Sequence, residues 1–134
     1  MITGLDHVDV IVKDFDAAIE QYRAIFGPDA RLIPTDDVPG RGFRMTRFEF
    51  GDRQSINILT PTDDTGPWAR HLARHGDGVY LIALITDNLD QTAEEMRARG
   101  VRLAVPIGGL RVIHPASAGG ALILLAQRRE ALPG

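Results

Sequence analysis

Two segments of the chain share the same order of hydrophobic and polar positions. They are residues 5–27 (LDHVDVIVKDFDAAIEQYRAIFG) and residues 79–100 (VYLIALITDNLDQTAEEMRARG). Each begins with an alternating or apolar stretch, passes through an acidic turn, and continues with apolar residues at helical spacing. An offset of about 74 residues aligns them and places His7 over Leu81. The pattern predicts a degenerate internal repeat that begins with a strand and a helix.

The ends of the predicted helices carry suitable residues. Asp14 and Asn88 precede the helices of the two copies, where a side-chain oxygen can accept a hydrogen bond from a free backbone N–H. Gly27 and Gly100 follow them, where glycine commonly ends a helix. A third, short helix is predicted near residues 67–75, because Pro67 suits a first helical turn.

Three candidate strands follow the helix in each copy, so each copy is predicted to be a βαβββ module and the chain an α+β protein. Gly51 and Asp52 form the predicted hairpin turn in the first copy. We expect one domain over residues 1–134, with module 1 at about 4–60, a linker helix at about 61–77, module 2 at about 78–127 and a tail at 128–134. The candidate strands are residues 31–33, 42–50 and 54–59 in the first copy and 101–105, 110–114 and 121–126 in the second.

Composition narrows the classes of function. The chain of 134 residues has no cysteine, which excludes disulfides, thiolate metal sites and a cysteine nucleophile. Its formal net charge of -3 and its scattered arginines argue against a nucleic-acid partner. No apolar run approaches the roughly 20 residues of a membrane span, and the first residues lack the pattern of a signal peptide. We therefore expect no membrane partner and a cytoplasmic location.

Four further stretches carry a resemblance to a known family. With the repeated βαβββ unit, they make the chain resemble the vicinal oxygen chelate superfamily, which includes glyoxalase I, bleomycin resistance proteins and extradiol dioxygenases. The resemblance covers residues 5–127 and is closest to methylmalonyl-CoA epimerase. The stretches are residues 6–8 (DHV), residues 59–61 (LTP) with the Asp-rich loop after them, residues 68–78 (WARHLARHGDG), and residues 113–115 (IHP) followed by 119–122 (GGAL).

The resemblance implies a curved mixed sheet with the helices on its convex face and a ligand pocket in its concave face. Strand alternation then sorts the side chains. If His7 faces the pocket, Asp9 does as well, while Val8, Val10 and Val12 pack under the helix. Homodimers are common among such short two-module chains, so we expect this chain to pair with a second copy.

The resemblance also implies where a metal would bind. The family's four ligands correspond to His7, Asn57, Leu81 and Leu124, where the family has His, Glu or Gln, His and Glu. Only His7 is retained, and two leucines cannot replace the hydration of a divalent ion. The epimerase's catalytic glutamate corresponds to Met45. We therefore expect a pocket without metal or other cofactor, and no true methylmalonyl-CoA epimerase activity.

The candidate site residues follow from these alignments and from strand parity. His7 and Asp9 form the best polar pair, because a carboxylate beside an imidazole can orient its proton for acid–base chemistry. Glu49 is the third catalytic candidate, since it lies on the same strand face as Met45. The candidate substrate-binding residues are Asn57, Met45, Arg47, Leu81, Leu124 and His114.

Other polar residues have simpler interpretations. His71 and His75 lie four apart on the short helix, a spacing that can bind metal. The arginines beside them favour a solvated face instead. Parity places Tyr80 on the helix-facing side of its strand, where its hydroxyl is predicted to be structural. His114 precedes Pro115 and is equally well explained as a turn residue.

Two functions from different classes fit the sequence. The first is a metal-independent, glyoxalase- or epimerase-like enzyme that moves a proton on a carbonyl-containing small molecule, such as an acyl thioester or a polyketide-like compound. Isomerisation, epimerisation, elimination and ring closure all remain open. The second is a non-catalytic protein that binds or sequesters a small molecule, as bleomycin resistance proteins do. The polar residues favour the enzyme, and the leucines at ligand positions favour simple binding.

Overall fold

The computed structural model describes residues 1–35, 42–106 and 109–127. The predicted α+β class is confirmed, with seven strands and three α-helices in the described part. The predicted tail at 128–134 lies outside the described residues. The elements are β1 Ile2–Ile11, α1 Phe15–Phe26, β2 Arg31–Thr35, β3 Phe43–Glu49, β4 Ser55–Pro61, α2 Pro67–His75, β5 Gly78–Thr86, α3 Leu89–Ala98, β6 Arg111–Ile113 and β7 Ile123–Gln127.

The chain divides into two compact units, which are described separately. The first unit comprises His7–Tyr80. The second unit comprises Leu81–Gly134 together with Met1–Asp6.

The strands of the first unit follow the order β2-β3-β4-β1. β3 pairs antiparallel with both β2 and β4, and β4 pairs parallel with β1. A 3₁₀ turn at Gly51–Arg53 joins β3 to β4, at the position where the sequence predicts a hairpin turn. Every predicted strand of the first copy is therefore present, and β4 runs two residues further than expected.

Helix α1 covers one face of the first unit. Its Phe15 and Ile19 pack with Val10, Phe48 and Ile58, all of them even-numbered strand residues. Ile58 is fully buried, and Phe48 is 1% exposed. Removing such apolar area from water stabilises the unit by roughly 25 cal/mol per Å². The predicted packing of Val8, Val10 and Val12 beneath the helix is confirmed.

The predicted helix ends are observed. The Asp14 carboxylate accepts a hydrogen bond from the Ala17 amide at 3.1 Å and caps α1. Asn88 caps α3 in the same way, through the Gln91 amide at 3.1 Å. Gly27 follows α1 with φ of 90°, a backbone conformation that side chains disfavour.

In the second unit, β7 pairs parallel with β5 and antiparallel with β6. Helix α3 packs Leu89 and Met96 against Ile113 and Leu125 of this sheet. Leu84 adds to the same cluster. The helix therefore covers one face of the strands, as in the first unit.

The strand predicted at residues 101–105 is wrong. The segment forms only an isolated bridge between Leu103 and Ile113. The Arg102 amide donates to the Ser117 hydroxyl at 2.9 Å rather than to a neighbouring strand. Two backbone hydrogen bonds remain beside this bridge, from the Ala104 amide to the Val112 carbonyl at 2.8 Å and from the His114 amide to the Arg102 carbonyl at 2.9 Å. The ladder extends no further because the Arg102 amide bonds a side chain and Pro106 has no amide hydrogen.

No helix in the described part of the chain is both long enough and apolar enough to cross a membrane.

Candidate functional site

A face of polar side chains lies opposite α1 in the first unit. Side chains alternate along a strand, so the odd-numbered residues point away from the helix-covered core. Strand register places Asp9, Asn57 and Arg47 in one row across β1, β4 and β3. His7, Ser55 and Glu49 form the next row. We call His7, Asp9, Arg47, Glu49, Ser55 and Asn57 the polar face.

A chain of polar contacts joins four residues of this face on the strands β1 and β4. The Ser55 hydroxyl donates to Asn57 Oδ1 at 2.9 Å, and Asn57 Nδ2 donates to Asp9 Oδ1 at 3.0 Å. His7 Nε2 lies 3.6 Å from the same Asp9 oxygen. Asn57 is 2% exposed and Ser55 5%, so these contacts are shielded from water. The predicted pair of His7 and Asp9 is thus brought together. The hydrogen bond from Asn57 orients the Asp9 carboxylate.

Ser55 is a member of this network that sequence reasoning did not select. Its inward parity was recognisable from β4, but a lone serine in a strand gives no sign that its hydroxyl holds a neighbouring amide. Ser55 belongs to the site because its hydroxyl holds the Asn57 amide that contacts Asp9.

The remaining polar residues of the face are on β3. Glu49 Oε1 lies 3.7 Å from Nη1 of Arg31, and its side chain is largely buried. Arg47 is half-buried, and its Nε atom is buried with no hydrogen-bond partner in the described part of the chain. Glu49 therefore has an ionic partner in Arg31, whereas the Nε of Arg47 has no acceptor among the described residues.

One end of the face is apolar. Met45 pairs with Leu59 across β3 and β4, and Leu59 pairs with Ile11 across β4 and β1. Leu59 and Ile11 are buried. The row of Met45, Leu59 and Ile11 across β3, β4 and β1 is therefore apolar.

Tyr80 is an additional candidate that parity assigned to a structural role. Its ring meets the His71 ring edge-on at 4.7 Å. Burial raises the pKa of the Tyr80 phenol above its ordinary value, and the negative charge of Asp9 raises this pKa further. Tyr80 therefore interacts electrostatically with Asp9. The sequence pattern gave no sign of this interaction.

The two histidines of α2 are neighbours in space. The ring centroids of His71 and His75 are 4.6 Å apart. Burial lowers the pKa of His71, and the neighbouring His75 lowers it further. Both causes keep His71 neutral to lower pH than an ordinary histidine.

Three predicted site residues belong to the second unit. Leu81 is buried, and Leu124 pairs with Ala83 and Val112 on the side of the strands away from the α3 cluster. His114 Nδ1 accepts a hydrogen bond from the Ala116 amide at 3.0 Å and caps a 3₁₀ turn. That contact matches the turn interpretation of His114.

A cavity of about 260 Å³ lies elsewhere in the first unit, beside the end of α1. Aromatic rings dominate its wall, and Glu49 is its one residue from the predicted site. Its lining does not include the His7–Asp9 pair, so the cavity is not the centre of the polar face. The lining residues are Phe26, Asp29, Ala30, Arg31, Phe48, Glu49 and Phe50.

The donor set does not fit the family's divalent metal. Asn57 turns its amide nitrogen to Asp9, and its oxygen already accepts from Ser55. Leu81 and Leu124 offer no donor atoms at all. Within the described ranges, no three His, Asp or Glu side chains are grouped so as to hold a metal ion.

Comparison with known proteins identifies the family. The sequence model of the Glyoxalase/Bleomycin resistance protein/Dioxygenase superfamily matches residues 6–112. The chain belongs to this superfamily. The resemblance found in the sequence is confirmed, including the likeness to methylmalonyl-CoA epimerases.

Individual relatives of the superfamily support this assignment. The ethylmalonyl-CoA/methylmalonyl-CoA epimerase of Cereibacter sphaeroides is 26% identical over 95% of this chain and 99% of its own length. The crystal structure of methylmalonyl-CoA epimerase from Mycobacterium tuberculosis aligns with a TM-score of 0.77 and 31% identity over 96% of this chain and 90% of that one. A variant of the Streptomyces coelicolor methylmalonyl-CoA epimerase, in complex with 2-nitronate-propionyl-CoA, aligns with a TM-score of 0.75 and 27% identity over 95% of this chain and 98% of that one.

The match to a further curated relative is partial. The Synechocystis protein slr0090 is 27% identical over 112 residues, which is 80% of this chain. The chain spans 33% of the length of that relative.

Proposed function

We propose that this protein is a metal-independent enzyme that moves a proton on the carbon next to a carbonyl, with His7 and Asp9 as its acid–base pair. The observation that carries the proposal is the contact chain from Ser55 through Asn57 and Asp9 to His7. A carboxylate held by a buried amide keeps its orientation when a substrate enters. Such preorganisation is what proton transfer requires of its catalytic groups.

The geometry assigns roles to the two nitrogens of His7. Its Nε2 faces Asp9, which favours the tautomer with the proton on Nε2 and the basic lone pair on Nδ1. In the proposed step, Nδ1 takes the proton from the α-carbon and the electron pair passes to the carbonyl as an enolate. The imidazolium then returns a proton to the carbon, and Asp9 stabilises its positive charge.

The substrate class is proposed from the relatives together with the donor set. Relatives named as methylmalonyl-CoA epimerases align over nearly the whole chain, which supports an acyl thioester. Met45 occupies the position of the catalytic glutamate expected from the resemblance and cannot carry a proton. The reaction is therefore assigned to His7 and Asp9 alone, with Glu49, Asn57, Arg47 and Met45 lining the same face.

Sequestration of an apolar ligand without catalysis is the second candidate. Leu81 and Ala83 are buried, and β7 places Leu124 beside Ala83. These residues form an apolar strand surface opposite the α3 cluster of the second unit. An apolar lining suits a protein that only binds its ligand.

Solvent deuterium exchange separates the two candidates. The protein is incubated with propionyl-CoA or methylmalonyl-CoA in D2O that contains a metal chelator. Incorporation of deuterium at the α-carbon of the thioester is followed by mass spectrometry. Exchange above the uncatalysed rate with either thioester supports the enzyme. Saturable binding of the same thioesters, observed by calorimetry without any exchange, would favour sequestration.

We also propose that the protein functions as a homodimer, as the resemblance to short two-module chains implies. Ile2, Leu5 and Val79 are large apolar side chains exposed on the single chain. Pairing with a second copy is one way to remove such area from water.

A further inference from the structure

The strongest unexplained feature of the polar face is the arginine at its centre. Arg47 lies on β3, between β2 and β4, and pairs in register with Asn57. Its Nε atom is buried, and no hydrogen-bond acceptor in the described ranges reaches it. A guanidinium is charged at every physiological pH, and leaving a buried charged donor without an acceptor is costly.

The two carboxylates of this face contact groups other than Arg47 Nε. Glu49, two residues along the same strand face, pairs with Arg31 at 3.7 Å. Asp9 accepts from Asn57 and lies 3.6 Å from His7. Neither carboxylate accepts a hydrogen bond from Arg47 Nε, so this donor is available to an acceptor on a ligand.

We infer that Arg47 binds a carboxylate group of the ligand, on the same face as the His7–Asp9 pair. The planar guanidinium offers Nε and a terminal nitrogen side by side, which matches the two oxygens of a carboxylate. The inference deepens the proposed function and rests on it, since it adds that the thioester or other carbonyl compound also carries a carboxylate.

Strand spacing sets the size of this ligand. Arg47, Asn57 and Asp9 occupy adjacent positions on β3, β4 and β1, and neighbouring strands lie about 4.8 Å apart. The backbones at Arg47 and Asp9 are therefore roughly 10 Å apart, a span that the two side chains shorten. A small acid whose carboxylate and reacting carbon are separated by a few bonds fits between them.

The test uses malonate as the probe and reads binding without turnover. The Nε–Hε resonance of Arg47, assigned by its absence in Arg47→Met, is followed by NMR at constant ionic strength. We expect malonate to shift this resonance saturably, and the affinity to fall about tenfold or more in Arg47→Met. Arg47→Lys keeps the charge but loses the paired donors, so its affinity is expected between the two.

Arg44→Met is the matched control, because Arg44 is on the same strand but points to the other face, over the Phe15 ring at 4.3 Å. It removes the same charge and is expected to bind malonate like the wild type. Equal weakening in Arg44→Met and Arg47→Met would overturn the inference by showing a general charge effect. Inorganic phosphate that binds as well as malonate, with the same dependence on Arg47, would overturn the carboxylate assignment.

Thermal melting distinguishes ligand binding from a structural role. Because Nε is unsatisfied, Arg47→Met without ligand is expected to melt at or above the wild-type temperature, and malonate should stabilise only the wild type. If Arg47→Met melts below the wild type without ligand, and malonate still stabilises Arg47→Met, Arg47 has a structural role and the inference is overturned. Deuterium exchange tests His7 separately, so failure of the proposed reaction leaves these binding results unaffected.

Discussion

At the scale of single residues, the described part of the face opposite α1 contains one hydrogen-bonded group of side chains and one buried donor atom without an acceptor. Ser55, Asn57 and Asp9 form a hydrogen-bonded series that ends at His7. Arg47 lies on the same face, and its Nε has no acceptor among the residues that the structure describes. A site for a carbonyl compound with a carboxylate requires positioned acid–base groups and a cationic hydrogen-bond donor. This face contains both.

The titration of Tyr80 tests whether Asp9 acts on this residue. Burial and the charge of Asp9 raise the phenol pKa above 10.0, so Asp9→Asn is expected to lower it. Because the raised pKa favours the neutral phenol in the folded state, its contribution to stability is full below pH 10.0 and is lost as the pH rises through the folded pKa. Tyrosinate absorbance reports the pKa in a Tyr22→Phe background, which leaves Tyr80 as the one tyrosine.

Asp16→Asn provides the control for that titration. Asp16 is an exposed carboxylate of α1 that pairs with Arg44 at 3.7 Å. Its removal is expected to leave the Tyr80 pKa unchanged. An unchanged pKa in Asp9→Asn would remove Tyr80 from the neighbourhood of the site.

At the scale of elements, alternation and helix ends could be predicted from the sequence. The alternating residues of β1 identified both faces, because a strand buried on one side must repeat its apolar positions every two residues. Asp14 and Asn88 identified the helix starts, because few other side chains satisfy a free amide there. These are local signals, and local sequence is enough to determine them.

Contacts between distant segments could not be predicted in this way. The segment 101–105 has an apolar pattern, but the hydroxyl of Ser117, which lies in a later turn, takes the Arg102 amide. The bond between Asn57 and Asp9 joins residues 48 positions apart. The ion pair of Glu49 with Arg31 depends on strand register rather than on spacing. The sequence therefore predicted which residues share a face, but not which of them bond.

Helix α3 offers a test of the predicted caps. Asn88→Ala removes the oxygen that accepts from the Gln91 amide, and we expect it to lower the free energy of unfolding by about 1 kcal/mol. Asn88→Asp keeps that oxygen and adds a negative charge at the positive end of the helix, so it should retain wild-type stability. Urea denaturation measures both variants. Equal losses in the two would show that the cap oxygen does not stabilise the helix.

At the scale of the whole molecule, the two modules share a fold pattern but differ in their polar residues. Each has a strand, an N-capped helix and further strands with apolar residues beneath the helix. The candidate acid–base residues lie in the first unit. The sequence alignment of the two copies places Leu81 and Leu124 at the positions that match His7 and Asn57. The family could be identified from the repeat because the apolar periodicity of the strands and helices does not depend on which residues occupy the ligand positions.

The proposed homodimer has a direct physical test. Light scattering should report a mass of about twice the 14.7 kDa of one chain. The mass is expected to hold on dilution, because burial of apolar area makes an obligate pair stable. A mass of one chain over a wide range of concentration would contradict the pairing.

The most direct test of the account is the rate of α-carbon deuterium exchange in His7→Gln compared with the wild type. The comparison uses a thioester whose α-carbon the wild type exchanges in the presence of a chelator. We predict that His7→Gln lowers this exchange rate about 100-fold or more. Asp9→Asn should lower it less, and His75→Gln, which changes an exposed histidine of α2, should leave it near the wild-type rate. Thermal melting checks that each variant is folded. Wild-type exchange in a folded His7→Gln variant, or no exchange by the wild type with any thioester tested, would contradict the central role of His7 and Asp9.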